Sequence, residues 1–228
     1  MIERFYNYLV ERFLLQDLIA FAVSSLLVFL YYLYLHRRTR YQPDFTLHAL
    51  NARVRFRWVE MVMANNSKMD ILAVQTLRNS VMASNFMAST AVLVIIGILT
   101  LSENTQELAI AWKPVLQTEN TSNVLCLVKQ SLLILDFFIA FYCFSMAIRF
   151  FNHVGYMINL PADTIMHGFS PKQIGAYLNR AGTYYTLGMR AFFFCLPLVF
   201  WFFGPWSLVL STILLIASLY SLDRAPAC

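Results

Sequence analysis

The chain has 228 residues, of which 59% are hydrophobic and 13% are charged, and its formal net charge is +5. Soluble domains carry roughly a quarter charged residues and about 45–50% apolar ones. This composition excludes an ordinary soluble domain and predicts an integral membrane protein.

The apolar residues gather into runs of membrane-spanning length. The runs cover about residues 18–35, 81–101, 132–151, 187–203 and 206–222. The last two adjoin, and as a single helix they would measure ~54 Å against a hydrocarbon core of ~30 Å. The Gly204-Pro205 pair divides this stretch, since Gly favours the end of a helix and Pro favours its first turn.

We therefore predict an all-α integral membrane protein with a single transmembrane domain over residues 1–228. A bundle of four main transmembrane helices is followed by the C-terminal segment broken at Gly204-Pro205. This segment either crosses the membrane a fifth time or continues as a kinked helix.

The basic residues predict the orientation of the chain. The loop 36–79 holds seven arginines and one lysine against three acids, whereas residues 102–130 hold two lysines against three glutamates. Basic loops stay on the cytoplasmic side of a membrane. We therefore expect a multi-pass protein of the inner (plasma) membrane with loop 36–79 in the cytoplasm and the N-terminus outside.

Loop 36–79 also contains a predicted helix. Apolar residues repeat there at spacings of three and four, as on one face of a helix: Leu47, Leu50, Val54, Trp58 and Met61. Arg53, Arg55 and Arg57 lie mostly off this apolar stripe. The pattern predicts a cytoplasmic amphipathic helix on the anionic inner leaflet, with membrane lipids as partners.

The second apolar run begins with many small and hydroxylated residues. Four of them share one narrow arc of a helix: Ser80, Ser84, Ala88 and Ala91. Gly97 belongs to a second stripe of small residues, and Arg78, Asn85 and Ser89 lie on a third stripe. Small residues at this spacing let helices pack closely in lipid. We expect this helix to pack on several sides, with little circumference left for lipid.

Asp136 is the main candidate for polar chemistry inside the membrane. It lies on a small-residue face of the third run, about 10 Å along the helix from Lys129. Intramembrane carboxylates are costly and mark functional sites by default, so Asp136 joins Arg78, Asn85 and Ser89 as a candidate polar path. The structural alternative is a hydrogen bond of the neutral acid to a hydroxyl at similar depth: Ser24, Ser25 or Thr100.

Three arginines mark the cytoplasmic ends of three different apolar runs: Arg78, Arg149 and Arg190. Together they are a candidate collar that binds lipid phosphate or another anion. The alternative is that each side chain snorkels to the membrane surface without a ligand.

Signatures of catalysis or of cofactor binding are missing from the sequence. The four cysteines form no C-x-x-C pair, the histidines show no paired ligand spacing, and no Gly-rich phosphate loop or nucleophile elbow occurs. We therefore expect no catalytic residue, no metal, no cofactor and no nucleic-acid partner, and the sequence favours a protein that is not an enzyme.

Several short motifs resemble a family of uncharacterised bacterial and plant multi-pass membrane proteins, catalogued as a domain of unknown function. The motifs are Trp58 to Met61, Asp70, Leu77, the run Phe86–Gly97, the run Leu187–Phe194 and the run Trp201–Pro205. The resemblance spans nearly the whole chain and implies an integral membrane protein of about four helices, without an activity. The ending Asp223–Cys228 departs from the more basic tail that the family implies.

From the sequence we expect a helix-packing or assembly element of the membrane. It either self-associates as a homo-oligomer or is an accessory subunit of a larger membrane complex. The alternative is a small oligomeric transporter or channel in which Asp136 and Asn85 line a path.

Overall fold

The computed structural model describes residues 2–42, 45–64, 70–103, 123–159 and 170–224. In this part of the chain the regular secondary structure is helical, without strands. The helices are α1 Ile2–Tyr41, α2 Leu47–Ala64, α3 Asp70–Glu103, α4 Asn123–Ile158, α5 Pro171–Phe200 and α6 Pro205–Asp223. One turn of 3-10 helix, Trp201–Phe203, lies between α5 and α6. The predicted all-α class is confirmed for these residues.

Five of these helices are long and apolar enough to cross a membrane. The candidate spans are Leu15–Tyr41, Ile71–Thr100, Leu125–Ile158, Pro171–Phe203 and Pro205–Asp223. The C-terminal segment is thus a fifth helix of spanning length. The helices extend beyond the predicted apolar runs because polar residues at their ends are helical as well. Lys129, counted above among the charges of residues 102–130, belongs to α4.

The break between α5 and α6 lies at the predicted position. Gly204 has φ 139° and ψ 165°, a backbone conformation that is essentially restricted to glycine. Its N–H donates to the carbonyl oxygen of Trp201 at 3.2 Å, and its own carbonyl accepts from Ser207 Oγ at 3.0 Å. Pro205 then begins α6, where a missing backbone donor costs nothing.

The chain groups into two compact units, each built from three separate segments. The first unit comprises Met1–Tyr41, Leu93–Phe138 and Ala191–Leu222. Its helix α1 packs through two apolar clusters. One contains Ala20, Trp201 and Leu208, and the other contains Tyr31, Leu215 and Leu219.

The second unit comprises Gln42–Val92, Ile139–Arg190 and Asp223–Cys228. Its apolar core takes side chains from α2, α3, α4 and α5. The buried members are Val59, Val62, Ala73, Leu77, Ala147, Phe151, Val154, Ile158, Ile174, Leu178 and Ala181. Helix α2 therefore contributes to a protein core.

The residues that α2 buries fully lie outside the predicted apolar stripe, of which Trp58 packs, partly buried, against this core. Val59 and Val62 are buried, whereas Leu47, Val54 and Met61 are exposed. At 100° per residue, Val62 and Val59 lie about 80° and 140° around the helix from the centre of the exposed stripe. The sequence pattern did not indicate this buried face, because the face is only partly apolar and includes Arg55.

Candidate functional site

A buried ion pair joins α1 to α4 in the first unit. Lys129 Nζ lies 2.9 Å from Asp17 Oδ1, and both side chains are less than one-tenth exposed. Trp201 Nε1 donates to the same carboxylate oxygen at 2.5 Å. Lys129 also donates to the Trp201 carbonyl oxygen at 3.2 Å. The two charges thus share a compact hydrogen-bonded cluster, the Asp17–Lys129–Trp201 cluster.

Aromatic contacts enclose this cluster. Lys129 Nζ lies 5.0 Å from the centroid of a Trp201 ring, in cation–π range. The Trp201 ring stacks on Phe21 with centroids 5.1 Å apart. Buried ions need a partner and additional hydrogen bonds to offset their desolvation, and the cluster supplies both. Sequence reasoning missed it, since its members belong to three distant segments.

Asp136 lies in α4 of the same unit and is half-buried. Its Oδ2 atom is buried and has no hydrogen-bond partner, and the same holds for Ser24 Oγ. Thr100 donates to the carbonyl oxygen of Ile96. The suggested structural hydrogen bonds from Ser24 and Thr100 to Asp136 are therefore absent, because each hydroxyl either bonds its own helix or is unpaired.

A second polar cluster docks α2 on α5 in the second unit. Arg55 Nε donates to Asn179 Oδ1 at 2.8 Å, and Asn179 Nδ2 donates to the Ala52 carbonyl oxygen at 3.1 Å. The Arg55 guanidinium occupies the space that a Cβ atom at position 182 would need, so Gly182 permits this close approach. Arg55 Nη2 is buried without a hydrogen-bond partner. Burial lowers the pKa of Arg55.

The end of α6 belongs to the same unit. Arg190 Nη2 lies 2.7 Å from Asp223 Oδ1, and Arg224 pairs with Thr46 through an isolated antiparallel bridge. Thr46 in turn caps α2, since its Oγ1 accepts from the Ala49 N–H at 3.4 Å. The residues that end α6 therefore contact the beginning of α2.

The predicted arginine collar is heterogeneous. Arg78 and Arg149 are exposed, whereas Arg190 is half-buried and ion-paired with Asp223. An open cavity of about 870 Å³ lies beside Arg78, with the amides of Gln75, Asn79 and Asn159 among its lining. Binding of an anion by the three arginines stays a prediction, and the pairing of Arg190 leaves Arg78 and Arg149 as its better candidates.

The stripe of small residues on α3 lies within the protein. Ser84 and Ala91 are fully buried, Ala88 is 6% exposed, and Ser80 is half-buried. Gly97 is different, because nothing lies within 4 Å of a Cβ atom built there. Helix α3 also exposes large apolar side chains such as Phe86, at 73%. The single chain therefore covers only part of the α3 circumference, and the expectation of little lipid-facing circumference stays a prediction.

The third stripe of α3 is exposed. Arg78, Met82, Asn85 and Ser89 recur at spacings of four, three and four, so they share one helix face, and all four are exposed. Asn85 and Ser89 lie well inside the span Ile71–Thr100. An amide and a hydroxyl are thus exposed on this chain within a candidate span. We call these four residues the α3 polar stripe.

A smaller cavity of about 360 Å³ lies on the basic face of α2. Arg53, Arg57 and Lys172 line it together with Phe56 and Glu60. Metal-binding groups of three or more His, Cys, Asp or Glu residues do not occur in the part of the chain that the structure describes.

Residues 19–227 match the family model DUF599, which is described as a protein of unknown function. No curated protein and no solved structure matches the chain.

Proposed function

Since this chain belongs to the DUF599 family, whose description gives no activity, we propose its function from its own geometry: it is a five-span membrane protein that self-associates through the α3 polar stripe. The observation that supports this proposal most directly is the exposure of Asn85 and Ser89 inside a candidate span.

Exposed amides are costly in hydrocarbon. Moving an amide from water to an apolar solvent without a hydrogen bond costs about 4–8 kcal/mol. Hydrogen bonds between membrane helices recover about 0.6–2 kcal/mol each. A protein surface against Asn85 is therefore preferable to lipid, and Ser89 on the same face adds a second donor and acceptor.

A second copy of the chain fits this requirement. A carboxamide contains both a donor and an acceptor, so Asn85 of one copy satisfies Asn85 of another across a two-fold axis. Two-fold interfaces are the commonest in soluble homo-oligomers and pair each residue with its own equivalent. Exposed Met82 and Phe86 supply apolar contact beside the amide. Exposed Arg78 lies at the end of the stripe, where its head reaches water.

The orientation belongs to the same proposal. The basic loop 36–79 stays in the cytoplasm and the N-terminus lies outside, so five crossings bring the end of α6 to the cytoplasmic side. The contacts of Asp223 with Arg190 and of Arg224 with Thr46 support this assignment. The exposed residues Leu47, Val54 and Met61 of α2 then contact the bilayer surface as an amphipathic face.

Cysteine crosslinking in native membranes tests self-association. We expect Asn85→Cys to form a disulfide-linked dimer under mild oxidation, in a background without the native cysteines. Ser84→Cys is the matched control, because Ser84 is fully buried and should not crosslink. A crosslink to a different protein would instead support an accessory subunit. Absence of any crosslink, with a monomer in native mass spectrometry, would refute assembly through this stripe.

A second candidate function is a small oligomeric transporter or channel. The observation that favours it is the buried, unpartnered carboxylate oxygen of Asp136 within a span, since such acids mark ion paths and proton relays. Flux through proteoliposomes that is abolished in Asp136→Asn would support transport. Equal flux in both proteins would exclude a role of Asp136 in it.

A further inference from the structure

The smaller of the two cavities lies between α2 and the beginning of α5, within the second unit. Arg53, Phe56, Arg57 and Glu60 of α2 line it together with Lys172 of α5. Its volume is about 360 Å³, at the small end of the range of about 300–1,000 Å³ that is usual for ligand pockets. The cavity therefore suits a small ligand or the head group of a larger one. We call it the α2–α5 basic cavity.

Close packing of α2 on α5 fixes the walls of this cavity. The Phe56 ring occupies the space that a Cβ atom at position 175 would need, so Gly175 lets the ring lie against the α5 backbone. Lys172 precedes Gly175 by three residues and therefore lies on the same face of α5. One turn further along α5, the hydrogen bond from Arg55 to Asn179 also joins the two helices. The basic groups of the cavity thus belong to two helices that are already docked.

The charges that line the cavity are mainly positive. Two arginines and one lysine face the single carboxylate of Glu60, which gives the lining a net charge of +2. Arg53 and Arg57 are four residues apart on α2, a spacing at which like charges repel each other. Lys172 lies in the first turn of α5, where the helix dipole disfavours a cation. Neither Arg57 nor Lys172 forms an ion pair with a described residue. An anion in the cavity would offset both unfavourable contributions.

The chemistry of the basic groups favours a phosphate group as this anion. The planar guanidinium of arginine donates two parallel hydrogen bonds to a phosphate or a carboxylate, and lysine binds phosphate as a point charge. A carboxylate has one negative charge and two oxygen atoms. A phosphate monoester has a charge of about −1.5 to −2 and three acceptor oxygen atoms. The phosphate monoester therefore matches three basic groups and a net charge of +2 better.

An exposed apolar surface adjoins the cavity. Val54 and Met61 are 57% and 50% exposed, and Arg57 lies three residues after Val54 and four residues before Met61. Residues at these spacings are neighbours on the surface of a helix. A lipid can therefore place its phosphate in the cavity and its acyl chains along the apolar residues, whereas a soluble phosphate compound uses the cavity alone.

We propose that the α2–α5 basic cavity binds a phosphate monoester group, carried either by an anionic lipid or by a soluble compound. Arg57 and Lys172 supply the main contacts from the two helices, Arg53 adds positive charge, and Glu60 weakens the binding by its negative charge. The site concerns α2 and α5 and does not depend on self-association through α3.

Calorimetric titration of the purified full chain with inorganic phosphate tests this site, in a non-ionic detergent at constant pH and ionic strength. We expect saturable binding that Arg57→Gln and Lys172→Gln each weaken roughly tenfold or more, as for the loss of a hydrogen bond to a charged group. Glu60→Gln should strengthen binding, because it removes the negative charge from the lining. Arg180→Gln is the matched control and should leave the affinity unchanged. It removes an exposed positive charge from the same helix, at a residue that contacts Phe150.

Native mass spectrometry of the same variants in mixed micelles distinguishes the two sources of phosphate. Retention of phosphatidic acid that Lys172→Gln abolishes identifies a lipid ligand, whether or not inorganic phosphate binds. Phosphatidylcholine, whose phosphate is neutralised by choline, should not be retained. Binding of inorganic phosphate without retention of phosphatidic acid identifies a soluble ligand.

Two results would overturn the inference. One is that neither inorganic phosphate nor phosphatidic acid binds. The other is that Lys172→Gln and Arg180→Gln have the same affinity for the probe that binds. The substituted side chains are all exposed, so the variants should fold, and unchanged thermal midpoints without ligand verify this. The α3 crosslinks do not involve these residues, so the two proposals fail separately.

Discussion

Lys129 Nζ lies 2.9 Å from Asp17 Oδ1 in a buried pair that also accepts a hydrogen bond from the Trp201 indole. Removing one partner of a buried ion pair leaves an uncompensated charge, which costs about 3–5 kcal/mol. Lys129→Met should therefore lower the thermal unfolding midpoint of the detergent-solubilised protein strongly.

The double variant Asp17→Asn with Lys129→Met should recover part of this loss, since no buried charge remains. Ser131→Ala, at an exposed position of α4, serves as the control and should leave the midpoint nearly unchanged. Strictly additive losses in the double variant would mean that the two side chains are not energetically coupled.

The turn between α5 and α6 depends on the backbone of Gly204. Because φ at this residue is 139°, a side chain there imposes strain, and Gly204→Ala should destabilise the protein by about 1–3 kcal/mol. Gly97→Ala is the matched control. It lies inside α3 with open space around its Cβ position, so the better helix propensity of Ala should stabilise by up to about 1 kcal/mol. Thermal unfolding midpoints test both expectations, a decrease for Gly204→Ala and an increase for Gly97→Ala.

Docking of α2 should depend on Asn179. Its side chain accepts from Arg55 Nε and donates to the Ala52 carbonyl. Asn179→Ala leaves the part-buried Arg55 Nε–H without this acceptor, at a cost of about 1–3 kcal/mol. We expect faster protease cleavage within α2 and a lower thermal midpoint. Thr183→Ala, one turn along α5 and exposed, should change neither. Unchanged cleavage of α2 in Asn179→Ala would show that the apolar core alone holds the helix.

His48 should make stability depend on pH. Its pKa is lowered from the ordinary 6.5 by burial first, and then by the positive charges of Arg55 and Arg190, against a smaller opposite effect of Asp223. The unfolded chain therefore binds a proton more readily than the folded one. The stability that neutral His48 contributes is therefore fully present above about pH 6.5. It is lost as the pH falls through the lowered pKa of His48 in the folded chain. Thermal unfolding midpoints should decline from about pH 7.5 to about pH 5, on either side of the ordinary pKa, and should decline less steeply in His48→Gln.

The spans and the break were predictable because their signals are local. Runs of apolar residues report contact with lipid directly, and Gly204-Pro205 combines a backbone requirement with a missing donor in two adjacent residues. The ends of the helices were less predictable. Lys129 was counted among the charges of residues 102–130 and also placed on the helix of Asp136, but a charged side chain at the edge of an apolar run does not reveal that it is buried against Asp17.

The buried clusters could not be derived from local patterns, because each joins distant segments. One signal was present for the first of them: Asp17 and Lys129 are opposite charges at the start of two predicted spans on the same predicted side. The docked face of α2 had no comparable signal. The stronger apolar pattern was the stripe of Leu47, Leu50, Val54, Trp58 and Met61. The glycine that admits Arg55 lies far along the chain, at position 182.

The bridge between Thr46 and Arg224 and the ion pair between Arg190 and Asp223 bear on biosynthesis. A chain emerges from the ribosome N-terminus first, so α2 is made long before the residues that fix its beginning. Until α6 has been inserted, Arg190 lacks its carboxylate partner and Thr46 lacks its bridge. A nascent chain that ends before α6 therefore lacks the two contacts that fix the beginning of α2 and tie Arg190 to Asp223, although α2 can already dock on α5.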